Sequence, residues 1–215
     1  MAVFRGLSDT FWATGKHMEY VTQYDPPEKR RAKANGGVEE RLTEASVMLA
    51  MARYILDNAT EATVSIHPDG EHAKRFDIPD WLSRAGFVKA ESLGSTSYGG
   101  TYRRELETVV VNPRSGVGDV VGVVDGRTIV IECKGGTINS THAGQLSRLR
   151  RGLCEAVGLL MARPFDGARE IAAVPWTPET ERLATRMAAR CQRAGIEIAL
   201  VRRDGSIFWV IGSGA

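Results

Sequence analysis

Hydrophobic residues recur every three or four positions in three long stretches of the chain, which is the spacing of one buried helix face. These stretches predict helices over 38–58, 141–163 and 178–194. In the first stretch the apolar stripe runs from Leu42 to Leu56. Because each helix carries polar residues on its other side, each is expected to pack one face on a common core.

Runs rich in Val, Ile and Thr lie between and after these helices and are typical of strands. They predict strands over 64–66, 103–112, 119–124, 127–134, 170–174, 197–201 and 206–211. The predicted order is a helix, three strands in a meander, a crossover helix and a fourth strand, followed by an added helix and β-hairpin. This order indicates an α/β fold with a mixed sheet flanked by helices, and the crossover is expected to be right-handed.

The first 36 residues show no sustained period. They contain a Pro26-Pro27 break and a basic cluster over 29–33, followed by Gly36-Gly37. We therefore predict an N-terminal extension over 1–36 and a single domain over 37–215. Residues 79–85 predict a further helix opened by a proline, and 95–100 predict a loop.

Composition agrees with one globular domain, since 43% of the 215 residues are apolar and 25% are charged. The longest apolar runs, 47–52 and 156–162, are far shorter than the ~20 residues of a membrane span. The first residues do not resemble a secretory signal, so the expected location is the cytosol. The three cysteines are widely spaced, and neither a zinc site nor a disulfide framework is expected.

The net charge of +2 is too even to indicate nucleic-acid binding by itself. The distribution is less even, because residues 145–193 hold nine arginines against five acidic residues. A mild basic region is therefore expected in the last third of the chain.

A hairpin carries the most informative polar residues. Asp125-Gly126 lies between two apolar runs and predicts a two-residue turn. With that turn, Asp119 faces Glu132 on the same side of the sheet, with Cβ atoms ~5 Å apart. Lys134 projects from the same face, because side chains alternate along a strand. Two opposed carboxylates destabilise a sheet unless a cation lies between them, so the pattern predicts a cation site.

Two carboxylates at this spacing suit Mg²⁺, and the backbone carbonyl of Cys133 is an expected third ligand. A metal beside an ammonium group favours phosphodiester hydrolysis. Asp119 followed by Glu132-x-Lys134 at the end of an apolar strand resembles the PD-(D/E)XK nuclease superfamily, whose fold is called restriction endonuclease-like. The resemblance covers 38–174 and departs from the family at Gly118, where the family has a proline.

The resemblance implies that Asp119 and Glu132 bind Mg²⁺, with Mn²⁺ as a substitute, and that Lys134 is the catalytic lysine. It also implies DNA as the substrate and a homodimer, because cutting two strands needs two sites. Restriction, defence and junction-resolving enzymes all belong to this superfamily, so the motif predicts chemistry rather than pathway.

Further residues are candidates with an ordinary alternative. Gln145 on the crossover helix is either a site residue, as in some branches of the family, or a polar helix residue. Glu40 and Glu44 are candidates for an additional acid in the site. The alternative is that both simply lie on a solvated helix face. The arginines that could contact DNA phosphates, or simply face water, are Arg148, Arg151, Arg182, Arg186 and Arg190. Gly135-Gly136 either admits a phosphate or turns the chain.

Two other functional classes remain open from the sequence. One is a nucleic-acid-binding domain that keeps the fold but does not cleave. The other is an assembly subunit of a defence or recombination complex, with the N-terminal extension as its contact.

Overall fold

The chain forms an α/β structure in which helices flank a large mixed sheet. The computed structural model describes residues 19–59, 62–124, 126–164 and 166–211. The helices are α1 (Glu28–Arg31), α2 (Glu44–Asp57), α3 (Gly70–Arg75), α4 (Ile78–Arg84), α5 (Ala143–Met161) and α6 (Pro178–Arg193). The strands are β1 (Val21–Tyr24), β2 (Glu39–Leu42), β3 (Ala62–Ile66), β4 (Val88–Ser92), β5 (Gly100–Arg104), β6 (Glu107–Val111), β7 (Val120–Val124), β8 (Arg127–Cys133), β9 (Gly136–Thr137), β10 (Arg169–Pro175), β11 (Ile196–Val201) and β12 (Ile207–Ile211).

The large sheet has the strand order β12-β11-β10-β8-β7-β3-β6-β5-β4. Strand β8 is parallel to β10, β10 is parallel to β11, and β3 is parallel to β6, whereas the other neighbours are antiparallel. A small sheet of β1, β2 and β9 lies beside it. Because β8, β10 and β11 are parallel, their C-terminal ends lie at the same edge of the sheet, which we call the carboxyl edge.

The two faces of the large sheet are covered by different helices. Helix α2 packs on the face that carries Ile131, Cys133 and Ala173. Helices α5 and α6 pack on the opposite face, which carries Ala172 and Val174. Neighbouring residues of β10 thus enter opposite cores, as expected for a strand buried on both sides.

The predicted strand over 103–112 is wrong. This segment is a hairpin of β5 and β6, and the chain reverses at Glu105, which has a φ of 51°. Strand β3 lies between β6 and β7, so it takes the place of the first strand of the predicted meander. The order helix, three strands, helix, strand is still present, as α2, β3, β7, β8, α5 and β10, with residues 67–119 inserted after β3.

The predicted helix over 38–58 begins too early. Residues 39–42 form β2, which pairs with β1 and β9, and α2 begins at Glu44. The side chain of Thr43 accepts a hydrogen bond from the Ser46 N–H at 3.1 Å and so caps the helix. Leu42 is buried as the last residue of β2 and not as part of α2, so its fit to the helical spacing is a coincidence.

Residues 19–36 are not a separate extension. Tyr20 and Val21 are buried in the same core as α2, and β1 extends the small sheet. The predicted boundary at residue 36 is therefore wrong for this part, while residues 1–18 lie outside the described residues. The other predicted helices and strands agree with the structure to within a few residues. Among the described residues, no helix combines the length and apolar character that a bilayer span requires.

Candidate active site

The hairpin of β7 and β8 has the predicted register. Pairs run from Val124 opposite Arg127 to Val120 opposite Ile131, and Gly126 has a φ of 74°. Asp125, the other predicted turn residue, lies outside the described residues. Because this register is set by the turn, it places Asp119 beside the end of β8.

Asp119 lies one residue before β7 and is held by three hydrogen bonds. Its N–H donates to the Ile131 carbonyl at 3.0 Å, and its own carbonyl accepts from the His67 N–H at 2.8 Å. Its carboxylate oxygen Oδ2 accepts from the Cys133 N–H at 2.7 Å. These bonds fix both the backbone and the side chain, so the carboxylate lies against the strand that carries Glu132.

Gly118, which precedes Asp119, lies close against strand β8. A Cβ atom at this position would lie 2.6 Å from Cγ1 of Val130. A side chain at this position would therefore require at least the Val130 side chain to move.

Glu132 is half-buried and lies within hydrogen-bonding reach of Asp119. Burial, followed by the charge of Asp119, raises the pKa of Glu132 to about 7, although Lys134 and Arg163 act in the opposite direction. Lys134 and Arg163 thus do not offset the combined effect of burial and of the neighbouring Asp119 carboxylate on Glu132.

Lys134, which follows β8, forms ion pairs with carboxylates on two helices. Its Nζ lies 3.4 Å from the Glu44 carboxylate on α2 and 3.6 Å from the Glu155 carboxylate on α5. Burial alone would lower its pKa, but the charges of Glu44, Asp119 and Glu155 outweigh this and raise it. Lys134 therefore carries its positive charge at neutral pH.

Glu44 joins the site from the first position of α2. Its pKa is raised to about 7, mainly by burial, with Asp119 adding to the shift and Lys134 opposing it. Gly135 permits this approach, since a Cβ atom there would lie 2.5 Å from the Glu44 backbone nitrogen. Glu44, Asp119, Glu132 and Lys134 are called the acid–lysine site below.

The other candidate acid, Glu40, is engaged elsewhere. Its carboxylate forms an ion pair with Arg203 at 2.6 Å, in the turn between β11 and β12. Of the two acids considered from the sequence, the structure thus brings Glu44 to Lys134 and directs Glu40 to another partner.

Gln145 also has a different partner. Its side-chain nitrogen lies 3.1 Å from the carboxylate of Glu39, which is 0% exposed. Arg41 lies 2.8 Å and Arg30 3.5 Å from the same carboxylate. Burial would raise the pKa of Glu39, but the hydrogen bonds of Arg41 and Gln145 and the charge of Arg30 lower it. We call these four residues the Glu39 cluster.

The candidate DNA-contacting arginines are exposed on the two helices of one sheet face. Arg148 and Arg151 lie on α5, and Arg182, Arg186 and Arg190 lie on α6. In the basic cluster of α1, Lys29 and Lys33 are exposed, whereas Arg30 belongs to the Glu39 cluster. Nothing in their contacts distinguishes a DNA-binding role from a solvated surface.

The donor set of the acid–lysine site suits a hard divalent cation. Within the described ranges, no group of three His, Cys, Asp or Glu side chains has a metal-ligating arrangement. Mg²⁺ does not require one, because it is commonly held by one or two carboxylates together with waters and substrate oxygens. The neighbouring carboxyl groups of Asp119 and Glu132 offer two such donors, and the Cys133 carbonyl is adjacent to Glu132 in the chain.

Three residues near the site carry no local signal in the sequence. Glu155 contacts Lys134, Asp69 adds to the pKa shift of Glu44, and Arg163 lies close enough to Glu132 to lower its pKa. Gly152 is a related case, since a Cβ atom there would lie 3.2 Å from Cβ of Lys134. A tertiary structure is needed to find them, because each comes from a separate element.

No family model, curated protein or solved structure matches the chain. The chemistry of the acid–lysine site is therefore argued from its own geometry.

Proposed function

We propose that the chain is a Mg²⁺-dependent nuclease that hydrolyses phosphodiester bonds in DNA, with a restriction endonuclease-like core and Mn²⁺ as a substitute metal. The observation that carries the proposal is the meeting of Asp119, Glu132 and Lys134 at the ends of two paired strands, with Glu44 added from α2. The element order α2, β3, β7, β8, α5 and β10 supports it, because this is the order expected of that core.

Asp119, Glu132 and the Cys133 carbonyl would hold the metal. Bound there, Mg²⁺ would lower the pKa of a coordinated water and neutralise charge on the scissile phosphate. The chain's own contribution to that charge is Lys134, whose ammonium form is stabilised by Glu44 and Glu155. Its N–H groups can donate to a phosphate oxygen, where the added negative charge of the transition state develops.

The exposed arginines of α5 and α6 would bind phosphates without selecting a sequence. Cleavage of both strands by one site per chain would require a homodimer, which stays a prediction. A substrate panel of supercoiled, linear, single-stranded and four-way-junction DNA would separate the endonuclease, exonuclease and junction-resolving alternatives.

The test is cleavage of supercoiled plasmid by the purified chain in Mg²⁺ and in EDTA. Replacing Lys134 with Met removes the charge at similar length and should reduce cleavage by about 100-fold or more. The matched control is Lys74→Met, because Lys74 is exposed on α3 and pairs with Glu71 one turn away. Equal cleavage by Lys134→Met and the parent, or cleavage that persists in EDTA, would contradict the proposal.

A further inference from the structure

A cavity of about 610 Å³ opens at the carboxyl edge of the large sheet. Its apolar walls come from Tyr20 and Val21 of the N-terminal segment and from Trp176, which follows β10. Arg202 and Arg203, which follow β11, form the polar side together with Glu19 and Asp204. The volume lies within the range of pockets that hold small organic groups such as a nucleobase.

Trp176 is held in a fixed orientation although the residue is 36% exposed. Its indole N–H donates to the Glu181 carboxylate at 3.0 Å, and its backbone N–H donates to the Val201 carbonyl at 2.7 Å. A ring that is anchored at its edge and its backbone keeps a face available without losing side-chain entropy on binding.

The charged groups of the cavity are unequally engaged. Asp204 accepts hydrogen bonds from the backbone and side chain of Ser206, and Arg203 pairs with Glu40. Arg202 lies 5.3 Å from the ring centre of Phe208 and has no carboxylate within ion-pair distance among the described residues. Arg202 is thus the group best placed to bind an added anion such as a phosphate.

The cavity is close to the acid–lysine site along the same edge. The Lys134 N–H donates to the Ala173 carbonyl of the adjacent strand β10, and Trp176 follows three residues further along that strand. Three residues of extended chain span about 10 Å, which is about three nucleotide steps at ~3.4 Å per nucleotide. Gly136, two residues after Lys134, also lies close to Pro175, which precedes Trp176. A Cβ atom on Gly136 would lie 4.0 Å from Cγ of Pro175.

We infer that this cavity binds an unpaired nucleobase of the substrate, stacked on Trp176, with the neighbouring phosphate on Arg202. The inference rests on the proposed nuclease function and adds a substrate class to it, namely DNA with a single-stranded segment beside the cleaved bond. A base in a duplex cannot present its face to the indole, because both faces are covered by stacked neighbours.

The experiment measures binding of a fluorescein-labelled dT oligonucleotide and of a blunt duplex of equal length, both in EDTA so that neither is cleaved. Trp176→Ala should weaken binding of the single strand by about 5- to 100-fold, which is the effect of losing one base–aromatic stack. It should leave duplex binding within about twofold, because the duplex offers no free base to stack. Trp176→Phe keeps an aromatic face and should retain most of the affinity.

Two controls match these changes in chemistry. Leu106→Ala removes another exposed apolar side chain, in the turn between β5 and β6, and should not alter binding. Arg202→Ala should reduce the slope of log Kd against log salt by about 0.7 for the single strand. Arg127→Ala should leave the slope unchanged, because Arg127 lies at the start of β8 and thus at the opposite edge.

Three results would overturn the inference: unchanged single-strand affinity in folded Trp176→Ala, equal weakening of single-strand and duplex binding, or no single-strand binding by the parent. Cleavage in Mg²⁺ of a duplex that carries a single-stranded tail separates this outcome from the fate of the proposed function. Cleavage without any effect of Trp176 on single-strand binding removes the subsite and keeps the nuclease. Single-strand binding that depends on Trp176 without cleavage keeps the subsite and removes the nuclease.

Discussion

Two groups of acidic residues in this chain have opposite electrostatic balances. In the Glu39 cluster one carboxylate is fully buried, yet its pKa is lowered because two guanidinium groups and an amide surround it. In the acid–lysine site the carboxyl groups of Glu44 and Glu132 are less deeply buried, yet the pKa of each is raised to about 7. The exposed surface area of the carboxyl groups alone therefore does not explain the opposite directions of the pKa shifts.

The difference lies in whether the protein supplies the compensating charge. Around Glu39 the protein provides it, so the group has the character of a structural connection between α1, β2 and α5. Around Glu132 the protein provides it only in part, because Lys134 and Arg163 do not offset the effects of burial and of the Asp119 charge. A site in which the protein does not neutralise the negative charge of its carboxylates favours the binding of a cation. This arrangement is expected where a metal is needed for function.

The largest expected effect on stability comes from neutralising Glu39. Glu39→Gln leaves Arg41 and Arg30 without their buried counter-charge and should lower the free energy of unfolding by about 3 kcal/mol. The same change at Glu132 relieves repulsion and should leave the stability equal or up to about 1 kcal/mol higher. Urea denaturation of both variants in EDTA measures the contrast. Similar losses in both variants would show that the two groups are not different in kind.

The pH dependence of stability sharpens the same contrast. A carboxyl group whose pKa is raised on folding stabilises the folded state below its unfolded pKa, and this contribution is lost as the pH rises through the folded pKa. For Glu44 and Glu132 that window runs from the usual 4.5 to about 7. The pKa of Glu39 is lowered, so its contribution is present above 4.5 and is lost only as the pH falls below that value.

The metal-free protein should therefore lose on the order of 2 kcal/mol of unfolding free energy between pH 5 and pH 8. The double variant Glu44→Gln, Glu132→Gln should lose most of this dependence, whereas Glu107→Gln, outside the site, should keep it. Mg²⁺ should weaken the dependence in the parent, because a bound cation favours the ionised carboxylates. A flat profile in the parent without metal would contradict the assignment of an unbalanced site.

Gln145 gives a smaller effect and tests which group it belongs to. Gln145→Leu removes the amide that donates to Glu39 and should cost about 1.5 kcal/mol of stability. Cleavage per folded molecule should stay within about twofold of the parent, because Gln145 contacts Glu39 and is not placed at Lys134. Gln192→Leu, exposed on α6, is the control for the substitution itself. A large loss of cleavage without a loss of stability would show that Gln145 acts together with the acid–lysine site.

The parts of the site that could be predicted from the sequence are local. The Asp125-Gly126 pair predicts the turn from the sequence, and the observed register of β7 and β8 agrees with that prediction. Alternation along the chain then predicts that Glu132 and Lys134 project from one face. Helices α5 and α6 could also be predicted from the sequence, because their apolar stripes are long and regular.

The parts that could not be predicted depend on contacts distant in sequence. Strand β3 pairs with β6 on one side and with β7 on the other. The sequence of β3 does not show which strands it will pair with. Glu44 reaches the site only because β2 ends at Leu42 and Gly135 lets α2 approach. Glu39 meets Gln145 across 106 positions, so its burial had no local signature.

The most direct test of the account compares two charge-removing variants at a temperature where circular dichroism shows both to be folded. Cleavage of supercoiled plasmid in Mg²⁺, expressed per folded molecule, is measured for the parent, Asp119→Asn and Glu39→Gln. The account predicts that Asp119→Asn loses cleavage by about 100-fold or more while remaining folded, and that Glu39→Gln cleaves within a few-fold of the parent. Cleavage by folded Asp119→Asn at the rate of the parent would contradict the central claim.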